Sequence, residues 1–202
     1  MGNTVTSTFN QIGSGFLKPD DPSFDVGHCS QDRTHIGNVT VGAETPQFAN
    51  TALRAIASDW RVSGILNARS GSWLTVTTGR DIAATGIANQ RVNQVSDDSY
   101  GDKTLQRYLT TTAFAYPDAG TLGDHRRGSI EGPGFWTVDL ALSRLVSFAT
   151  QQNVELRLEV FNLLNNFNWG DPVTNLDAGN FGQITSQAGD PRIMQFGIKY
   201  GF

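Results

Sequence analysis

The chain has 202 residues, enough for one domain of ordinary size with a real core. Only 17% of the residues are charged and the net charge is -4, which argues against a nucleic-acid partner, since affinity for phosphate needs a basic patch. Twenty-two glycines and many Thr, Asn and Ser residues favour strands joined by turns over helices.

In chain order, residues 1–30 read as loop, with one short strand or partial upstream strand near Asn3 to Phe9. The first clear strand lies in RTHIGNVTVGAETP, where Val39, Val41 and Ala43 alternate with Asn38, Thr40 and Gly42 until Pro46 ends the run. TALRAIASD has the pattern of one or two helical turns, with Leu53 and Ile56 on one face. WRVSGILNARSGSWLTVTTG sets Trp60, Val62, Gly64, Leu66 and Ala68 against Arg61, Ser63, Asn67 and Arg69. Ile65 interrupts that alternation, and Ser70-Gly71 suggests a bulge or kink before Leu74 and Val76 resume it. Residues 79–134 hold no sustained period and read as a long loop, functional or partly disordered.

After Gly132-Pro133-Gly134, FWTVDLALSRLVSF sets Trp136, Val138, Leu140 and Leu142 against Thr137, Asp139, Ala141 and Ser143. Arg144 falls on the apolar parity, where it either snorkels to headgroups or marks a bulge at Leu145-Val146. The tight connection ATQQ leads to NVELRLEVFNLLN, the cleanest dyad of the chain, with Val154, Leu156, Leu158 and Val160 opposite Asn153, Glu155, Arg157 and Glu159. Asn162 and Asn165 suit the end of that strand and the start of a turn. A second long loop, 163–190, precedes PRIMQFGIKYGF, where Met194, Phe196, Ile198, Tyr200 and Phe202 share one side.

Alternation alone says that one face of each strand is dry. Three features favour lipid over a soluble core as the dry phase. The strands run roughly ten residues, as the ~9 to 11 of a membrane-crossing strand require. Aromatic residues sit at strand ends (Trp60, Trp136, Phe148, Phe161, Tyr200, Phe202), as in the girdles of a barrel. Connections alternate short and long, the expected asymmetry of periplasmic turns and extracellular loops, although the Pro46 to Asp59 connection is longer than that scheme expects. Lumen-facing charges would then include Asp139, Glu155, Arg157, Glu159 and Lys199, placed to pair across strands. No apolar run approaches the ~20 residues of a transmembrane helix, and the N-terminus lacks the features of a signal peptide, so any targeting segment is expected upstream of Met1.

GPGFWTVDLALSR, LRLEVFNLLNNFNWGDP, FGQI and PRIMQFGIKYGF together resemble the C-terminal end of TonB-dependent outer-membrane receptors, most closely the Oar-like group with a carboxypeptidase-regulatory-like domain. WRVSGILNARSGSWLTVTTG and GTLGDHRRGSIEGPG are similar to the preceding strand pair and loop. The resemblance spans residues 31–202. It implies an all-β fold: an antiparallel transmembrane β-barrel segment, contributing about five to seven of the last strands of a barrel of about 22, with long extracellular loops. It further implies a plug and a TonB box supplied by the rest of the polypeptide, contact with outer-membrane lipid, and location in the bacterial outer membrane. The barrel-assembly machinery would recognise the terminal strand through Tyr200 and Phe202.

On this reading no residue is catalytic, no cofactor is expected, and the loops capture a bulky ligand, with Arg80, Asp81, Asp97, Asp98, Arg126 and Arg127 as candidate contacts. Two other classes compete. A soluble β-sandwich would hold carbohydrate on Trp73, Trp136 or Trp169. A hydrolase would draw on Ser143, His125 and Asp139, but the G-x-S-x-G elbow is missing. Cys29 is the only cysteine, and its grouping with His28, Asp32 and His35 matches no zinc spacing.

Overall fold

A computed structural model describes residues 17–18, 20–148 and 152–202; the strand expected near Asn3 to Phe9 and most of the ATQQ connection lie outside them. The chain forms two units. One comprises His35–Arg69, Phe135–Asn168 and Gly189–Phe202, and the other the residues up to Thr34 with Ser70–Gly134 and Trp169–Ala188.

The first unit is a single antiparallel sheet. Its strands are Ile36–Glu44 (β1), Trp60–Arg69 (β2), Phe135–Ser147 (β7), Asn153–Phe161 (β8) and Ile193–Gly201 (β9), in the order β1-β2-β7-β8-β9. Neighbours in space follow the chain as an up-and-down meander, the connectivity of barrel walls. The long connections leave from one end, where Arg69 faces Phe135 and Phe161 faces Ile193. Short ones close the other, where Glu44 faces Arg61 and Ser147 faces Asn153. Between Glu44 and Trp60 the helix Thr51–Ala57 (α1) forms, as TALRAIASD suggests. The Asn50 side chain caps it, accepting from the amides of Ala52 and Leu53.

Side-chain parity carries across all five strands. Rows such as Ala43, Val62, Leu142, Leu158 and Phe196 run side by side, so the alternating apolar sets of the five strands share one face. The ladder β7–β8 is unbroken from Leu140↔Val160 to Ser147↔Asn153. No bulge occurs at Leu145-Val146, and Arg144 stands on the apolar face, the one charged residue there. Ile65 stays in register on the polar face, opposite Thr40 and Asp139. That face also holds Glu44 with Arg61 and Arg157 with Glu159, each pair at 2.7 Å, and Glu155 opposite Lys199. Phe161 corrects one expectation. It ends β8 opposite Ile193, on the polar parity, so it is not part of an apolar-face girdle.

Ser70-Gly71 departs from expectation as well. The strand does not resume beyond a bulge, because the backbone leaves the sheet at Arg69. Trp73–Leu74 (β3) pairs instead with Ile130–Glu131 (β6). Gly71 makes this crossing possible: a Cβ there would fall onto the carbonyl oxygen of Gly132. At the end of β8, Asn162 and Asn165 both adopt the left-handed conformation, with φ of 50° and 52°, as their place in NLLN suggests.

The second unit contains the buried core. Residues without sequence period pack there: Val76, Val92, Tyr108, Leu109, Ala113, Phe114, Ile130, Phe181 and Ile184. Asn93–Gln94 (β4) pairs with Phe114–Ala115 (β5), and a 3-10 turn covers Pro22–Asp25.

Candidate functional site

The two long connections form one body. The Thr77 amide donates to the Thr174 carbonyl at 3.0 Å and the Leu176 amide to the Thr77 carbonyl at 2.8 Å. Tyr108 and Ile184 amides donate to the Gly182 and Leu105 carbonyls, both at 2.8 Å, and Phe114 meets Phe181 edge-on. The hydroxyls of Tyr100 and Tyr108 converge on the carbonyl of Glu131, at 3.1 and 3.3 Å. Burial, and then the neighbouring Tyr100, Glu131 and Asp171, push the Tyr108 phenol up to about 12.

The segment before β1 is fastened into this body. The Arg91 guanidinium, only 5% exposed, lies 3.4 Å from Asp25, donates to the Phe24 carbonyl at 2.8 Å and covers the Phe24 ring at 3.8 Å. Burial is the main influence lowering the Arg91 and Arg127 guanidinium values; Asp25 opposes it at both. The His28 ring stacks on Trp73 at 4.1 Å, while its Nδ1 meets Asp32 at 2.7 Å. His125 is fully buried, bound through Nδ1 to Gln94 Oε1 at 2.9 Å. Burial, reinforced by the charge of Arg91, pushes its imidazole down to about 4, so it is neutral at ordinary pH.

The six candidate ligand contacts fall into three places, and among the described residues no hydrogen bond or ion pair joins one place to another. Arg80 is exposed, pairs with Asp177 and lies over the Tyr116 ring, whose hydroxyl donates to Asp177 at 2.6 Å. The bonds from Arg80, then Tyr116, hold the Asp177 carboxyl below the usual carboxylate range. Asp81 organises its own loop, accepting from the amides of Thr85 and Gly86 and from Gln90. Desolvation opposes ionisation of the exposed Asp81, but those bonds outweigh it and its value falls. Asp97 is exposed, Asp98 accepts from the Tyr100 amide at 3.1 Å, Arg126 is exposed and Arg127 half-buried. Sequence reasoning passed over Asp25, Gln90, Arg91, Tyr116 and Asp177. They lack any periodic or motif signal, and long-range contacts alone assemble them.

The tryptophans proposed for carbohydrate have unlike settings. Trp73 is stacked on His28, Trp169 packs against the loop core, and Trp136 lies on the apolar face of the sheet. Ser143 and Asp139 are on the polar face of β7, where Asp139 accepts from the Asn162 amide at 2.9 Å; His125 belongs to the loop core.

On the sheet, the apolar face is exposed or half-exposed except at Val160, which is 5% exposed: Phe196 is 80%, Ile198 78% and Val41 65% exposed. At its short-connection end aromatic rings gather, with Phe148 against Tyr200 at 6.3 Å and Tyr200 against Phe202 at 5.9 Å. Trp60, opposite Arg144 in the ladder, lies at the same end of the face, and Trp136 marks the opposite end.

A family model described as an outer membrane beta barrel domain matches residues 1–195. No curated protein and no solved structure matches the chain.

Proposed function

Since the chain belongs to the outer membrane beta barrel domain family, its place is the bacterial outer membrane, and we propose that it is a wall segment, with its extracellular loops, of a TonB-dependent receptor for a bulky ligand. The observation that carries the reading is where the core lies. The loop unit buries its apolar side chains, whereas the sheet, Val160 apart, leaves its apolar face exposed or half-exposed across five strands. In water such a face is a liability; in a bilayer it is the surface that lipid covers. A soluble sandwich would instead bury that face against a second sheet.

The outer edges of β1 and β9 have no strand partner among the described residues, and unpaired backbone groups in lipid cost several kcal/mol each. Closure therefore calls for further strands to reach the expected ~22, with a plug and TonB box to couple uptake to the proton-motive force. The β9 edge with Tyr200 and Phe202 is the surface on which the barrel-assembly machinery would act. Ligand capture falls to the exposed loop groups, Arg80 with Tyr116 and Asp177, Asp97 and Arg126 foremost. Asp81, Asp98 and Arg127 shape the loops that present them.

Two experiments test this. Refolding with and without detergent probes the membrane assignment, and a water-soluble monomer with a cooperative melt would overturn it. Uptake of labelled iron chelates, oligosaccharides and peptides, compared in cells with and without this gene, probes transport. A gene-dependent signal that survives collapse of the proton-motive force would reject energy coupling and leave the barrel reading standing.

A further inference from the structure

The connection between β1 and β2 is built as a rigid object on the apolar side of the sheet. The Phe48 amide donates to the Ser58 hydroxyl at 3.1 Å, closing the ring of chain that contains α1. Arg54 folds back onto the Phe48 carbonyl at 2.9 Å. Two side chains from the apolar face hold the helix: Trp60 Nε1 donates to the Ile56 carbonyl at 2.8 Å, and Arg144 donates to the Ala55 carbonyl. The Arg144 guanidinium also sits 5.3 Å from the Trp60 ring centre, and the two residues are directly opposite in the β2–β7 ladder. Arg144 thus reaches the backbone of α1, and its charge is used at the rim of the apolar face rather than within it. Leu53 and Ile56, three residues apart and so on one side of the helix, are 53% and 71% exposed.

We propose that α1 is a membrane-surface helix, tethered by Trp60 and Arg144, whose Leu53 and Ile56 enter the phospholipid leaflet at the short-connection rim. The inference rests on the lipid-facing assignment of the sheet. Lipid is the occupant because this patch continues the apolar face and its aromatic band, and because short amphipathic segments settle at the boundary between headgroups and acyl chains. It also accounts for a connection longer than a plain turn: the added residues make a foot that fixes the depth of the wall in the bilayer.

The test is site-directed spin labelling of the full chain in isolated outer membranes, in a Cys29→Ser background. Nitroxides are placed at Ile56→Cys, at Phe196→Cys as a lipid reference and at Lys199→Cys as a wet reference on the opposite face. Collisions with dissolved oxygen report lipid, and collisions with a water-soluble nickel chelate report water. The expected result is that position 56 prefers oxygen, as 196 does, while 199 prefers nickel. If 196 prefers oxygen and 56 prefers nickel, the inference fails and the membrane assignment stands. If 196 prefers nickel, the lipid-facing assignment fails and the inference with it. Combining Trp60→Phe with Arg144→Gln should shift position 56 towards nickel; an unshifted label would overturn the tether.

Discussion

Replacing Phe196 by arginine separates the two possible environments of the apolar face by sign as well as size. Phe196 lies near the middle of β9, in the row that continues through Leu158, Leu142, Val62 and Ala43, and on the lipid-facing assignment the middle of the terminal strand is the part nearest the bilayer midplane. In water, a residue 80% exposed would tolerate the change within about 0.5 kcal/mol. In lipid, arginine at the midplane of a barrel wall costs about 2–4 kcal/mol, which is roughly 30- to 700-fold in the folding equilibrium. The assay is urea titration of protein inserted into phospholipid vesicles, with the heat-modifiable band of isolated outer membranes as a cellular readout. Gln195→Arg, one residue away on the polar face, should stay near wild type. Tyr200→Arg, at the aromatic band, should lose only about 0–1 kcal/mol, because the penalty fades towards the interface. Equal behaviour of Phe196→Arg and Gln195→Arg would refute the assignment of the faces.

The loop unit yields further expectations. His125 has a value of about 4 when folded against 6.5 when free, so as pH falls the unfolded form takes up the proton first. The loop unit keeps its full stability above about pH 6.5 and loses about 3 kcal/mol on the way down to pH 4; hydrogen exchange of Val92 and Phe114 amides across that range checks it, and His125→Gln should flatten the profile. Gly71→Ala drives a methyl into the Gly132 carbonyl and should destabilise the crossing by about 2–4 kcal/mol, read as new protease cleavage near residues 70–74. Asp25→Ala leaves the buried Arg91 without its counter-charge, a loss of about 3–5 kcal/mol, and should release the segment before β1 to proteolysis while Lys18→Ala leaves it intact.

The strands were legible because a sheet with one dry face writes a period of two into the sequence. Parity in NVELRLEVF and IMQFGIKYG predicts the faces that the ladders then align. Parity also left the position of Arg144 open. Only the ladder from Leu140 to Ser147 excludes the bulge, and the Arg144 guanidinium it presents donates to the Ala55 carbonyl of α1. The loop unit was illegible for a physical reason. Its core joins Val76 to Ile184, and the hydroxyl of Ser72 donates to Asp171, 99 residues away; such contacts impose no local spacing. Phe161 fails for a related reason: being aromatic and at a strand end does not fix its face, which depends on one residue of register. The ligand candidates were chosen by charge, which finds exposure but not whether a carboxylate such as Asp81 is already engaged by its own loop.

The two units draw their stability from different sources, and that separation can be measured. Leu109 is 2% exposed at the centre of the loop core, so Leu109→Ala removes buried methyl groups and should destabilise that core by about 2–5 kcal/mol. On the lipid-facing assignment proposed above, the sheet holds itself by backbone ladders and by contact with lipid, neither of which involves Leu109. Leu109→Ala should therefore loosen residues 70–134 and 169–188, seen as faster amide exchange and cleavage at externally added protease, while the amount of protein inserted in the outer membrane stays at the wild-type level. Phe196→Arg should do the reverse, lowering the inserted amount without faster exchange in the loops of those molecules that do insert. If Leu109→Ala depleted the outer membrane as severely as Phe196→Arg, the loop core would be a requirement for building the wall rather than a structure the wall carries. The placing of ligand capture and membrane anchoring in separate units would then fail.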